Sequence, residues 1–125
     1  MSKIEKRYDG KWFWGIIDLV QGDRDELKTI LNNFTREELQ QFQDHFNDLS
    51  AQLQDEPYTD YMEDSEDSVE NISHWIVSRG KKYFDGIVSK PENAPRSVEG
   101  KREEILYGVA NEVYFSRFRE TMDHY

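Results

Sequence analysis

Residues 35–53, TREELQQFQDHFNDLSAQL, decide how this chain is read. Thr35 followed by Glu38 is a capping box: the hydroxyl accepts from the third amide of the helix, and the carboxylate reaches back to the Thr35 N–H. Behind it, Leu39, Phe42, Phe46, Leu49 and Leu53 recur in steps of 3 and 4, the spacing of one helical face. Gln40, Gln41, Gln43, Asp44, Asn47 and Asp48 fill the outside, so the seam is narrow and predicts packing on one neighbouring element. His45 lies at its boundary. Pro57 is expected to close the helix.

The same period extends in both directions. Upstream, Asp9 is placed to cap a helix carrying Trp12, Phe13, Ile16, Ile17 and Val20, which Gly22 ends. Trp14 falls on the other side of that helix, exposed or anchoring another segment. A second helix starts near Asp23, with Leu27, Ile30, Leu31 and Phe34 on one face. Downstream, Ser68 is a candidate cap for a helix with Val69, Ile72, Trp75 and Ile76 inward, and Gly80 fits the position just past its end. Tyr83, Phe84, Ile87 and Val88 form the next stripe. Pro91 and Pro95 bracket a connector, and a last helix is expected from about Val98 to Arg119, with Gly108 as a weak point or close-packing site. No stretch alternates with period 2. The reading is all-α: one domain over residues 1–125, about six short-to-medium helices, and an acidic connector at about 55–68.

Charge is distributed as unevenly as the helices are regular. The chain holds 26 acids and 16 bases in 125 residues, a net charge of -10. Residues 37–78 carry 12 acids and no base, and the remainder sums to +2. The total argues against nucleic acid as a partner, because phosphates are repelled, and against an anionic membrane surface. Three Trp, seven Tyr and seven Phe supply an aromatic core despite the polar composition. With no cysteine there is no disulfide framework, cysteine nucleophile or thiolate metal site. The N-terminal residues show no apolar h-region, and apolar runs are far too short for a membrane span, so the expectation is a cytoplasmic protein.

Catalytic patterns are missing. His45, His74 and His124 include no HExxH, and Glu70 with His74 at i, i+4 is a weak metal pair better read as a surface contact. An EF-hand beginning at Asp60 fails, because Met62, Ser65 and Asn71 occupy positions three, six and twelve. No GxSxG, GxGxxG or P-loop occurs. The reading is a non-enzyme with no cofactor and no metal.

Three stretches together resemble a bacterial family, domain of unknown function 4240. They are Trp12-Phe13-Trp14-Gly15-Ile16-Ile17-Asp18; residues 67–80, an acidic cap and a helix ending in Trp75-Ile76-Val77-Ser78-Arg79-Gly80, with Tyr83-Phe84 after it; and residues 103–110 around Leu106-Tyr107-Gly108. The resemblance covers most of residues 10–115. It implies a small helical protein without known catalytic residues. Some members resemble immunity proteins of polymorphic toxins, including Rhs-type ADP-ribosyltransferases. Residues 58–64 depart from the family's Trp- and Ala-rich helix, which marks this region as the specialised one.

The expectation drawn from both lines is an antitoxin that binds and neutralises a cognate protein toxin with a basic cleft. An ADP-ribosyltransferase is the first reaction the resemblance suggests, and a nuclease the second. The inserted surface is acidic and tyrosine-bearing: Asp55, Glu56, Tyr58, Tyr61, Glu63, Asp64, Glu66 and Asp67. The alternative is a non-catalytic cytosolic adaptor or regulator for another basic protein, which would use the same surface.

Overall fold

The capping box at Thr35 forms as its residues dictate: Thr35 Oγ1 accepts from the Glu38 amide at 3.1 Å, and Glu38 Oε1 accepts from the Thr35 amide at 2.8 Å. A computed structural model describes residues 10–122. It contains α1 (Gly10–Val20), α2 (Arg24–Leu31), α3 (Arg36–Gln52), α4 (Glu66–Ser78), α5 (Lys81–Ser89) and α6 (Val109–Phe118). Short 3₁₀ turns lie at Tyr58–Tyr61, Pro91–Asn93 and Arg102–Glu104, and no strand occurs among the described residues. The protein is therefore all-α. The expected Asp9 cap and His124 lie outside the described residues.

One hydrophobic cluster draws on all six helices. Aromatic rings meet where α1 packs on α3: Phe13 is fully buried, 4.8 Å from the Phe42 ring and 5.9 Å from Phe46. α3 also packs on α4 and α6, while α2 packs on α1 and α6 and α5 closes over α4 and α1.

The narrow-seam expectation for α3 is thus corrected, because the helix is central. Gln43, expected on the outer side, is buried, and so is Ser50. Their polarity is satisfied locally: Gln43 Nε2 donates to Asn47 Oδ1 at 3.0 Å, and Ser50 Oγ donates to the Phe46 carbonyl at 3.0 Å. A polar residue enters the core when its helix supplies the partner. α3 also ends before Pro57. The amides of Leu53 and Gln54 tighten onto the Ser50 and Ala51 carbonyls, turning Leu53 inward to full burial.

Trp14 is buried against Phe84 of α5, ring centroids 5.3 Å apart, so of its two expected places it takes the one that anchors another segment. Two further expectations change. Tyr83 and Val88 are exposed, leaving Phe84 and Ile87 as the inward residues of α5. The last helix starts at Val109, about ten residues later than its stripe suggests. Gly100 and Gly108 hold φ of +82° and +93°, which interrupts any helix there. The intervening loop is fixed from α4: buried Ser78 Oγ accepts from the Leu106 amide at 2.8 Å, and Trp75 Nε1 donates to Glu104 at 2.9 Å.

The α4–α5 junction is built around Gly80. Its φ of +112° lets it follow α4 and precede α5 directly. Asp18 of α1 takes over the capping role, its Oδ1 accepting from the Lys81 amide at 3.1 Å. A Cβ at position 80 would lie 2.6 Å from that oxygen. Gly80→Ala is therefore expected to cost about 2–3 kcal/mol, from left-handed strain together with a displaced cap. Gly100→Ala, at φ +82° but with open space around it, isolates the backbone part and should cost about 1 kcal/mol. Urea midpoints of the two variants check this; equal losses would remove the Asp18 contact from the account.

Candidate functional site

The acid-rich stretch does not form one continuous connector. Ser65, not Ser68, caps α4, accepting from the Ser68 amide at 3.1 Å. Glu66 and Asp67 therefore occupy the first helical turn, where carboxylates complement the macrodipole. The segment before them is held by its apolar residues. Met62 is buried and Tyr58 packs against the core. The Tyr58–Tyr61 turn lies on the Pro91–Asn93 turn, and the Glu63 amide donates to the Arg96 carbonyl at 2.9 Å.

The eight nominated residues accordingly divide. Tyr58 is half-buried, and Glu63 is partly buried and accepts from Ser68 Oγ at 3.0 Å, so both serve the fold. Asp55, Glu56, Tyr61, Asp64, Glu66 and Asp67 are exposed, with Tyr61 at 42%. Among the described residues, none of the eight acids between 55 and 70 forms an ion pair. The ion pairs present join Arg24 and Lys28 to Glu112, Arg36 to Glu120, Arg79 to Glu104, and Lys81 to Asp85. The negative field of this face is not neutralised by ion pairs with the described bases.

Concave surface lies on both flanks of α4. A cleft of about 470 Å³ separates Glu63, Ser68 and Asn71 from the loop carrying Glu99, Arg102 and Glu103. On the other flank, two hollows of about 410 and 370 Å³ adjoin at Gln54 and Glu70 as one groove, the inner part between α3 and α4 and the outer between the segment after α3 and the start of α4. Glu66, Glu70 and His74, at i, i+4 and i+8, are its α4 wall, because residues four apart stack along one helix face. Asp64 lines the outer hollow, and Tyr107 reaches the inner one from the loop before α6.

Glu70, His74, Gln54 and Tyr107 were not among the residues nominated from sequence. The i, i+4 spacing of Glu70 and His74 was visible, but its meaning depends on α3 and Tyr107 standing opposite. Among the described residues, no group of three His, Asp or Glu side chains gathers to hold a metal.

His74 stacks face to face on Tyr107, 3.8 Å between centroids at 4°, with Phe46 edge-on at 6.0 Å. Burial pushes its imidazole down to about 4 from the usual 6.5. Below pH 6.5 the unfolded chain takes up a proton that folded His74 refuses until about pH 4. Stability from this group is therefore complete above that window and falls as the pH drops through it, by an amount of order 3 kcal/mol. Urea midpoints between pH 7 and 4 should fall less steeply for His74→Gln than for the wild type; parallel curves would contradict the account.

Trp75, Arg79 and Gly80, central to the family resemblance, have structural roles here. The Trp75 ring carries the Arg79 guanidinium at 5.3 Å and the Lys101 ammonium at 5.2 Å, fastening the 101–104 segment to α4.

Fold and site together define a small all-α protein with an acidic face and a polar groove between two helices. The chain belongs to the DUF4240 family, described as a protein of unknown function, whose model matches residues 9–117. No match is found among curated proteins or among solved structures. No described helix is long and apolar enough to cross a membrane.

Proposed function

We propose that this protein is a non-catalytic antitoxin, an immunity protein that binds a cognate toxin through the acidic face and occludes its basic active-site cleft. The observation that carries this reading is the run of acids at residues 55–70, which form no ion pair among the described residues and are held on an ordered surface. Toxins that act on nucleic acids, nucleotides or NAD must attract phosphates, and the same field attracts this surface. Charge steers the encounter, while exposed Tyr61 offers a rigid anchor that slows dissociation.

The test is co-expression with the protein encoded by the neighbouring gene. Protection of the host, and a complex whose association slows with salt, are expected. Binding without protection would replace the antitoxin with an adaptor for a basic protein, and no complex would remove the proposal.

A further inference from the structure

We propose that the inner hollow of the α3–α4 groove, floored by the stacked His74–Tyr107 pair and walled by Glu70 and Gln54, receives one arginine side chain of the partner. This rests on the reading that the partner is basic, and it names the group that is recognised and the place where it docks.

The assignment stands on the chemistry of the hollow, not on the number of acids nearby. Its volume of about 410 Å³ accommodates a long side chain. Its one carboxylate, Glu70, has no ion pair among the described residues. Gln54 gives its Nε2 to Ser73 Oγ at 2.9 Å, which leaves its amide oxygen as an acceptor. A carboxylate and an amide oxygen beside an aromatic floor suit a planar cation with donors along two edges. A guanidinium can bond the carboxylate through two parallel N–H groups and lay its plane near aromatic rings, whereas an ammonium is a compact point charge that prefers water. Depressed basicity keeps His74 uncharged at neutral pH, so the floor does not repel the cation. One helical turn away, Glu66 and Asp64 line the outer hollow and offer a second cation a place about 6 Å further along.

The test titrates the full chain with Nα-acetyl-arginine methylamide, following backbone and side-chain NMR shifts, with the citrulline and lysine counterparts in parallel. Saturable shifts centred on Gln54, Glu70, His74 and Tyr107 are expected for the arginine probe. Affinity for the lysine probe should be at least threefold weaker, and the citrulline probe should leave these residues unmoved. Glu70→Gln should lower arginine affinity at least fivefold; Glu70 is exposed and its carboxylate makes no bond the fold uses, so the variant folds. Equal response to citrulline, shifts spread evenly over residues 55–67, or full affinity in Glu70→Gln would each overturn the assignment. Failure of the broader reading looks different: a wild-type protein that forms no complex with the neighbouring toxin removes the antitoxin while leaving the arginine titration intact. A Glu70→Gln protein that binds the toxin as tightly as wild type removes the groove alone.

Discussion

Replacing Phe13 by alanine is expected to lower stability by about 3–5 kcal/mol, the usual range for emptying a buried phenylalanine site. The ring has no exposed surface. It touches Phe42 and Phe46 of α3, lies edge-on to Trp14 at 5.4 Å, and faces His45 at 5.8 Å. These neighbours are themselves held: Trp14 by Phe84, and Phe46 by Tyr107 at 5.4 Å. Collapse into the vacated space would require α1 to slide against α3, which the rest of the core resists, so a cavity term adds to the lost transfer energy. For a domain whose total stability is on the order of 5–15 kcal/mol, such a loss is a large fraction of the whole. Urea unfolding should show a much lower midpoint with little change in slope. Phe115→Ala provides the contrast: that ring is 49% exposed, and the change should stay within about 0.5 kcal/mol. A loss below about 1 kcal/mol at Phe13 would mean that the α1–α3 contact is not the centre of the core.

Why some elements were legible and others were not follows from how local their causes are. Thr35 with Glu38, and Asp23 at the start of α2, bond to amides three residues away, so their roles are written in nearby letters. The same holds for Gly80, whose turn needs a residue without a Cβ. The last helix misled because Ile105, Leu106 and Val109 keep helical spacing although Leu106 is buried from a loop. What stops a helix there is a pair of positive-φ glycines and the anchoring bonds from Ser78 and Trp75, 25 or more residues upstream. Gln43 shows the complementary failure. A helix packed on two sides hides residues that a one-sided stripe assigns to solvent. The acidic face could be read because charge adds up along the chain. The groove could not, because its walls come from α3, α4 and the loop at Tyr107, and only the packed fold sets them opposite each other.

Reversing the exposed acids before α4 should separate what the face contributes to recognition from what it costs the fold. In a variant carrying Asp55→Lys, Glu56→Lys, Asp60→Lys and Asp64→Lys, association with the cognate toxin should slow by about 10- to 100-fold at low ionic strength, because the steering field changes sign. The difference should shrink markedly in 0.5 M salt, where screening acts over roughly half the distance that it does at 0.1 M. Dissociation should change less, since Tyr61 and the inner hollow are untouched and the outer hollow loses only Asp64. The isolated variant should be more stable than wild type by about 1 kcal/mol at low salt. Like charges in residues 55–70 repel one another with no ion pair among the described residues to offset them, and lysines at four of the eight places convert part of the repulsion to attraction. Glu66 and Asp67 are left in place because their carboxylates stabilise the first turn of α4, and reversing them would oppose the gain. The two measurements pull in opposite directions, which a general disruption of the fold cannot imitate: a damaged protein loses both stability and binding. A variant that is stabilised yet binds at the wild-type rate would place recognition elsewhere on the molecule, whereas one that is destabilised would show that these acids serve the fold instead.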